Sequence, residues 1–297
     1  MQEKTIETLA IASAAGGFKG VFAHGVLSAL EAAGIRAGAY AATSSAVFPS
    51  ISAAIRQANE IALKYWRVAL KTLEQPGKGM SESVLESLAA SGHILRNQPF
   101  LPGMPRIVIA TSAVISAEGA TLTQGDGARK LGRRLLIQAA RGDRSWADHH
   151  LQAYLFDTAA GDAEHRLTST NMDEVIYAST RMLHAWSMAA SVAGRPFIDG
   201  YYTCACPAIE MAQRGYREII AIANEPGVLY HDIFQSEVIP DNWQGIPIHI
   251  IRPQIDPATM GAGFTDVTDE GLVAGYNHGL EIGREFAVHW TGMERKK

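Results

Sequence analysis

The sequence predicts an α/β fold: a mostly parallel central sheet with helices on both faces, formed as one domain over residues 1–297. Three observations carry this reading. Short apolar runs of strand length alternate with longer runs of helical period, the pattern of parallel strands lying under covering helices. A glycine-rich turn and a small-residue stretch fall at the first two strand-to-helix junctions. No stretch rich in proline, serine or charge divides the chain, and no repeat or low-complexity tract interrupts it. With 297 residues, 47% of them hydrophobic, the chain is long enough to bury a large core.

The elements follow in order. Residues 8–13 read as a buried strand, and residues 19–33 as a helix with Val21, His24, Val26, Leu27 and Leu30 near one face. Gly34 is its stop signal. Residues 39–43 form a second strand, and a helix starts near Ser45 with Pro49 in its opening turns, where proline is accommodated. Residues 60–73, 82–96 and 128–140 read as helices, with a strand at 106–110 between the last two. Residues 151–157 alternate as a strand does, and 174–182 are helical. A short strand at 196–198 ends at Asp199, and a helix covers 208–214. Strands at 218–223 and 246–251 precede a long final helix over about 269–290.

Composition narrows the function. The net charge of −4 argues against a general nucleic-acid binder. Lys130, Arg133 and Arg134 fit a solvated helix face. Cys204 and Cys206 are too close for an ordinary structural disulfide and lack C-x-x-C spacing; two thiols in so long a chain suit a reducing compartment. No zinc-type spacing or calcium-loop motif is present. Glu3, Lys4 and Glu7 interrupt the first residues, unlike a signal peptide, and no run of about 18 apolar residues offers a membrane span. The expected location is the cytoplasm, with transient contact with a membrane surface left open.

Three elements carry chemistry. The turn Ala15-Gly16-Gly17-Phe18-Lys19-Gly20 precedes a helix, so its backbone N–H groups can face a developing anion. It lacks the Lys-Ser/Thr ending of a nucleotide-binding loop. Ser44, in Ala42-Thr43-Ser44-Ser45-Ala46, lies at a strand-to-helix junction with small residues two before and two after it. That is the spacing of a nucleophile elbow, although a serine there also serves as a helix N-cap. Asp199, before Gly200, closes a strand and offers a carboxylate base, although Asp-Gly is also a common turn. A competing Ser-acid-His order is open through His231, His249, His278 and His289, with His278 the best placed. His24 reads as packing on the first helix, and Met182, Met188 and the tryptophans as core, surface or acyl-pocket residues.

These motifs, in this order, resemble the patatin-like phospholipases. That family carries a Gly-Gly-Gly-x-Lys/Arg-Gly loop, a Gly-x-Ser-x-Gly elbow and a late Asp-Gly-Gly/Ala. The counterparts here are residues 15–20, 42–46 and 199–201. Ala178-Ser179, Pro207, Arg214-Gly215 and the strand at 246–251 extend the resemblance over nearly the whole chain, least clearly at 60–150. The departures are Ala15, Ala42, Ala46 and Tyr201, each adding bulk. The resemblance implies a three-layer sandwich and a Ser44–Asp199 dyad without histidine. It also implies an oxyanion hole at Gly16, Gly17 and Phe18, with Ala15, Lys19, Gly20, Ala42, Ala46 and Gly200 as supporting loop and elbow. Lys19 either fixes the loop by packing and ion pairing or draws in anionic head groups. No metal or cofactor is implied. The expected activity is hydrolysis of a lipid or other acyl ester through an acyl-enzyme. The alternatives are acyl transfer or thioester cleavage in a biosynthetic pathway, or a catalytically silent lipid-binding relative. Oligomeric state is left open.

Overall fold

The computed structural model describes residues 5–294. Glu3, Lys4 and the two ends of the expected domain lie outside the described residues. The described residues begin with β1 (Thr5–Ser13), a 3-10 turn (Gly17–Gly20), α1 (Val21–Ala32) and β2 (Arg36–Thr43). A second 3-10 turn (Ser44–Ala46) leads into α2 (Val47–Ala54), α3 (Ala58–Ile61), α4 (Lys64–Leu73) and α5 (Met80–Asn97). Then come β3 (Arg106–Val114), α6 (Ala117–Gln124), α7 (Ala128–Ala139), α8 (Ser145–His150) and β4 (Leu151–Asp157). These are followed by α9 (Met172–Thr180), β5 (Ser191–Val192), β6 (Arg195–Asp199), α10 (Ala208–Gln213) and β7 (Glu218–Ile222). The last elements are β8 (Asn242–Trp243), β9 (Ile246–Ile251) and α11 (Asp269–Glu294).

The strands form one sheet with the order β5-β6-β3-β2-β1-β7-β9-β8, and β4 also pairs with β3. Alternate residues along the central strands enter two separate apolar clusters. Leu9 and Ile11 face one way and Ala10 and Ala12 the other; Ile107 and Ile109 oppose Val108 and Ala110. Both faces are therefore covered, as the continuous apolar runs require. The first face carries large residues from α1, α2, α4, α5, α7, α9 and α11. The second is rich in alanine and is closed by α10 and parts of the segment 229–239. The result is an α/β architecture with helices flanking a mixed sheet, compatible with three layers.

One expectation holds in part. The central strands β9, β7, β1, β2 and β3 are mutually parallel, but the sheet is mixed: β4 and β6 run antiparallel to β3, as do β5 to β6 and β8 to β9. For β4, chain return dictates this. The chain leaves β3 at Val114 and re-enters the sheet directly opposite at Leu151, after α6, α7 and α8. An excursion that starts and ends at the same end of a strand must come back antiparallel.

Local differences have similar causes. The helix expected over 60–73 is broken because Ala62 takes a φ of 39°. Glu31 gives α3 a start of its own by accepting from the Ala58 N–H at 3.0 Å. Gly34 does end the first helical segment, with a φ of 76°. The helices α6 and α8 have no counterpart in the sequence reading; they are short, and α6 carries an internal glycine and two threonines.

Candidate active site

The topology of β3 assembles the site. Residues 108–110 of β3 pair with β4 on one edge and with β2 on the other. Residues 111–113 pair with β4 on the first edge and with β6 on the other. Hence β2 and β6 share one edge of β3 and run toward each other along it. Thr43, the last residue of β2, lies opposite Ala110, and Asp199, the last residue of β6, lies opposite Thr111. Their carboxyl ends meet, and Ser44 and Asp199 meet with them.

The Ser44 hydroxyl donates to Asp199 Oδ2 at 2.8 Å, and both residues are buried. Ser44 has a φ of 58°, a left-handed conformation that costs a non-glycine residue on the order of 1–3 kcal/mol. Its N–H donates to Ser179 Oγ at 2.8 Å, and the Ser179 hydroxyl donates to the Ala110 carbonyl at 2.7 Å. Ser179 thus links the bend at Ser44 to β3. Ala42 and Ala46 are buried in the core on either side, so their methyl groups are accommodated where the tightest elbows use glycine.

Asp199 is fully buried. Burial pushes its carboxyl pKa up to about 7, against the opposing effect of the Tyr201 N–H and the Ser44 hydroxyl. The Tyr201 N–H donates to Asp199 Oδ1 at 2.8 Å, and the Ser112 hydroxyl donates to the Asp199 carbonyl at 2.7 Å. This leaves Oδ2 for Ser44 alone among the described residues. Gly200 is required by close approach: a Cβ there would lie 2.5 Å from the Ala110 carbonyl oxygen and 2.7 Å from Thr43 Cγ2.

The glycine turn lies beside this pair. Gly17, Phe18, Ser44 and Ser45 line one cavity with Tyr65, Trp66, Met80, Val84 and Trp186. Gly17 has a φ of 57°, and a Cβ on it would sit 2.1 Å from the Phe264 carbonyl oxygen. That carbonyl accepts from the Phe18 N–H at 3.2 Å, so the Phe18 amide expected to face an oxyanion is engaged in this state. The Gly17 N–H has no acceptor among the described residues. Gly16 does not line the cavity; it packs against the Asn224 side chain. Ala15 donates its N–H to the Ala205 carbonyl at 2.8 Å, and Gly20 abuts Ser45.

Lys19 fixes the loop. Its ammonium donates to Glu225 at 2.7 Å and Asp256 at 3.3 Å. Burial works against its charge, but the two carboxylates outweigh burial and raise its pKa. Of the two roles expected for Lys19, the ion pair is the one the geometry displays.

Among the described residues no histidine hydrogen-bonds to Ser44 or Asp199. His278 Nε2 accepts from the Gln254 N–H at 3.1 Å, His249 faces Glu218, His231 faces Glu210, and His289 lies against the Glu285 carbonyl. His24 is buried in α1, with Nε2 3.0 Å from the Ala58 carbonyl, and Nδ1 accepts from Trp66 Nε1 at 3.0 Å. Burial pushes its pKa down to about 4, opposed by the Ala58 carbonyl, so it stays neutral. It orients Trp66, a wall of the cavity. Met182 and Met188 do not line that cavity, whereas Trp66 and Trp186 do. Lys130, Arg133 and Arg134 are exposed on α7.

The roles of Ser179, Phe264 and Met80 were not assigned from the sequence, whereas Trp66 was among the tryptophans read as core, surface or acyl-pocket residues. Ser179 had a signal there, as part of the Ala178-Ser179 pair. Phe264 had none, because its contribution is a backbone carbonyl. No helix among the described residues is long and apolar enough to cross a membrane. Models of known protein families and curated proteins give no match to this chain.

Proposed function

We propose that the chain is a serine acyl hydrolase of patatin-like type, with Ser44 as nucleophile and Asp199 as its general base. The observation that carries this reading is the 2.8 Å bond from the Ser44 hydroxyl to Asp199 Oδ2, made by a serine held at positive φ beside an amide-bearing turn.

Asp199 Oδ2 takes the hydroxyl proton as Ser44 Oγ bonds to the ester carbonyl carbon. The carbonyl π pair moves onto oxygen, and the Gly17 N–H is the donor offered to it. The Phe18 N–H joins once the Phe264 carbonyl releases it. Donors of this kind are each worth roughly 3–4 kcal/mol in such reactions. The tetrahedral intermediate expels the alkoxide, which takes the proton from Asp199 and leaves acyl-Ser44. Water then attacks, Asp199 takes its proton, and the carboxylic acid leaves as Ser44 Oγ regains that proton.

The cavity beside Ser44 favours a particular substrate class. It is mostly apolar, its volume is about 30 Å³, and its mouth is open to solvent. Tyr65 stacks on Phe48 at 3.7 Å and Trp66 is tied to His24, so two of its walls are braced. Such a space suits an acyl group of a few carbons better than the long chain of a phospholipid. The reading is therefore a short-chain carboxylesterase.

The test is a chain-length series of p-nitrophenyl esters, with phospholipids alongside, on the wild type, Ser44→Ala and Asp199→Ala. The acetate and butyrate esters turn over fastest, and each variant loses about 10⁴-fold or more. Full activity in Ser44→Ala ends the proposal. Phospholipid as the best substrate ends the short-chain part of it. An added alcohol or thiol acceptor separates hydrolysis from acyl transfer.

A further inference from the structure

We propose that Cys204, Glu210 and His231 form a binding site for one divalent transition-metal ion, best matched to zinc. The three residues come from different places: the loop after Asp199, the helix α10 and the segment between β7 and β8. Their donor atoms nevertheless all lie within 4.8 Å of one another. Donors held about 2.0–2.3 Å from one zinc ion stand about 3–4 Å apart, so small side-chain rotations close the set. A thiol, an imidazole and a carboxylate together suit an ion of intermediate softness.

A second observation points to a ligand. Glu210 Oε1 lies 2.6 Å from His231 Nε2, while Glu210 Oε2 is buried with no N–H or O–H donor on it, and the Cys204 thiol is the carboxylate's other neighbour. A buried carboxylate oxygen left unpaired is costly, and a cation beside it removes that cost. Cys204 is fully buried, while Glu210 and His231 keep 12% and 17% side-chain exposure, enough for an ion to enter from the His231 side. Cys206 is not part of the set, because its Sγ is directed to the Ala12 carbonyl at 3.7 Å. On binding, the Cys204 thiol gives up its proton to solvent and the thiolate sulfur takes the metal, and the proton that His231 Nε2 shares with Glu210 leaves that nitrogen, to Nδ1 or to solvent, so that it can ligate. Three protein ligands leave the fourth tetrahedral position to water.

The site is wired to the Ser44–Asp199 pair. The Cys204 N–H donates to the Gly200 carbonyl at 2.7 Å, and the Cys204 carbonyl accepts from Thr43 Oγ1 at 2.8 Å. The Ala205 N–H donates to the His231 carbonyl. An ion here clamps the loop that follows Asp199, and it takes no part in the acyl chemistry.

Titration of the metal-stripped protein with Co²⁺ tests this. One equivalent gives a thiolate-to-cobalt charge-transfer band, and Zn²⁺ bleaches it and raises Tm. Cys204→Ala abolishes the band, whereas Cys206→Ala keeps it at full intensity. Glu210→Gln, which preserves shape, weakens binding about tenfold or more. Circular dichroism checks that each variant is folded. No thiolate band in the wild type, a band surviving in Cys204→Ala, or a band lost in Cys206→Ala overturns the proposal. These readouts do not depend on esterase activity.

Discussion

Ser44 and Asp199 are 155 positions apart in the chain, yet each stands where a strand ends on the same edge of β3, and those strands point at each other. The meeting is fixed by sheet register. Thr111 follows Ala110, so Asp199 must come in one residue beyond Thr43. A carboxylate delivered to a serine by backbone pairing needs no histidine to bridge the distance. It also leaves almost no slack, and the first prediction tests that.

Gly200→Ala places a methyl 2.5 Å from the Ala110 carbonyl oxygen and 2.7 Å from Thr43 Cγ2. Both neighbours are held in strands, so the loop after Asp199 must give way. Overpacking of this kind costs about 1–3 kcal/mol, read as a lower urea midpoint. The loss in kcat/KM should exceed the loss of folded protein, because the carboxylate retreats from Ser44. Unchanged kcat/KM would mean that the register does not set the reactive distance.

Two adjacent serines give opposite expectations. Ser44→Ala removes the hydroxyl bonded to Asp199 and abolishes turnover. Ser45 Oγ is buried with no partner, so Ser45→Ala removes an unsatisfied group. Its stability should be unchanged or rise by up to about 1 kcal/mol, with activity kept within a few-fold. Labelling by a fluorophosphonate, followed by peptide mapping, distinguishes the two: the label belongs on Ser44.

Much of this was legible in the sequence. Apolar runs marked the central strands, and Ala42 and Ala46 announced a tight approach through their size. What stayed hidden was pairing direction. The alternation over residues 151–157 identifies a strand, but only the return of the chain opposite Val114 makes it antiparallel. The same holds for the Phe18 amide. Its motif presents it as a free donor, and its engagement depends on a carbonyl at Phe264, almost 250 residues away, with no side-chain signature. Cys204, Glu210 and His231 likewise lack any metal-ligand spacing and converge only through the fold.

Cavity size predicts a selectivity change. Met80 lines the space beside Ser44 and is nearly buried. Met80→Ala enlarges that space at a stability cost of about 2–5 kcal/mol. Each methylene accommodated is worth about tenfold or more in discrimination, so the hexanoate-to-acetate ratio of kcat/KM should rise by at least about tenfold. A chain-length profile that does not move would place the acyl group elsewhere.

The carboxyl of Asp199 couples activity to stability through pH. Burial holds its pKa at about 7 in the folded protein, against an ordinary value of 3.8. The base must be ionised, so kcat/KM should rise about tenfold per pH unit below 7 and level off above it. Stability moves the other way. Between about pH 4 and 7 the folded state holds a proton that the unfolded state has released, so unfolding becomes easier as pH rises. The contribution is complete below pH 4 and gone above 7. Its size is bounded by a shift of about three units, or about 4 kcal/mol. Asp199→Asn keeps the shape without the titration. Relative to the wild type, it should gain stability across that window while losing activity, as read by denaturant unfolding at pH 4, 6 and 8. A stability difference independent of pH would show that folding leaves the Asp199 pKa at its ordinary carboxylate value.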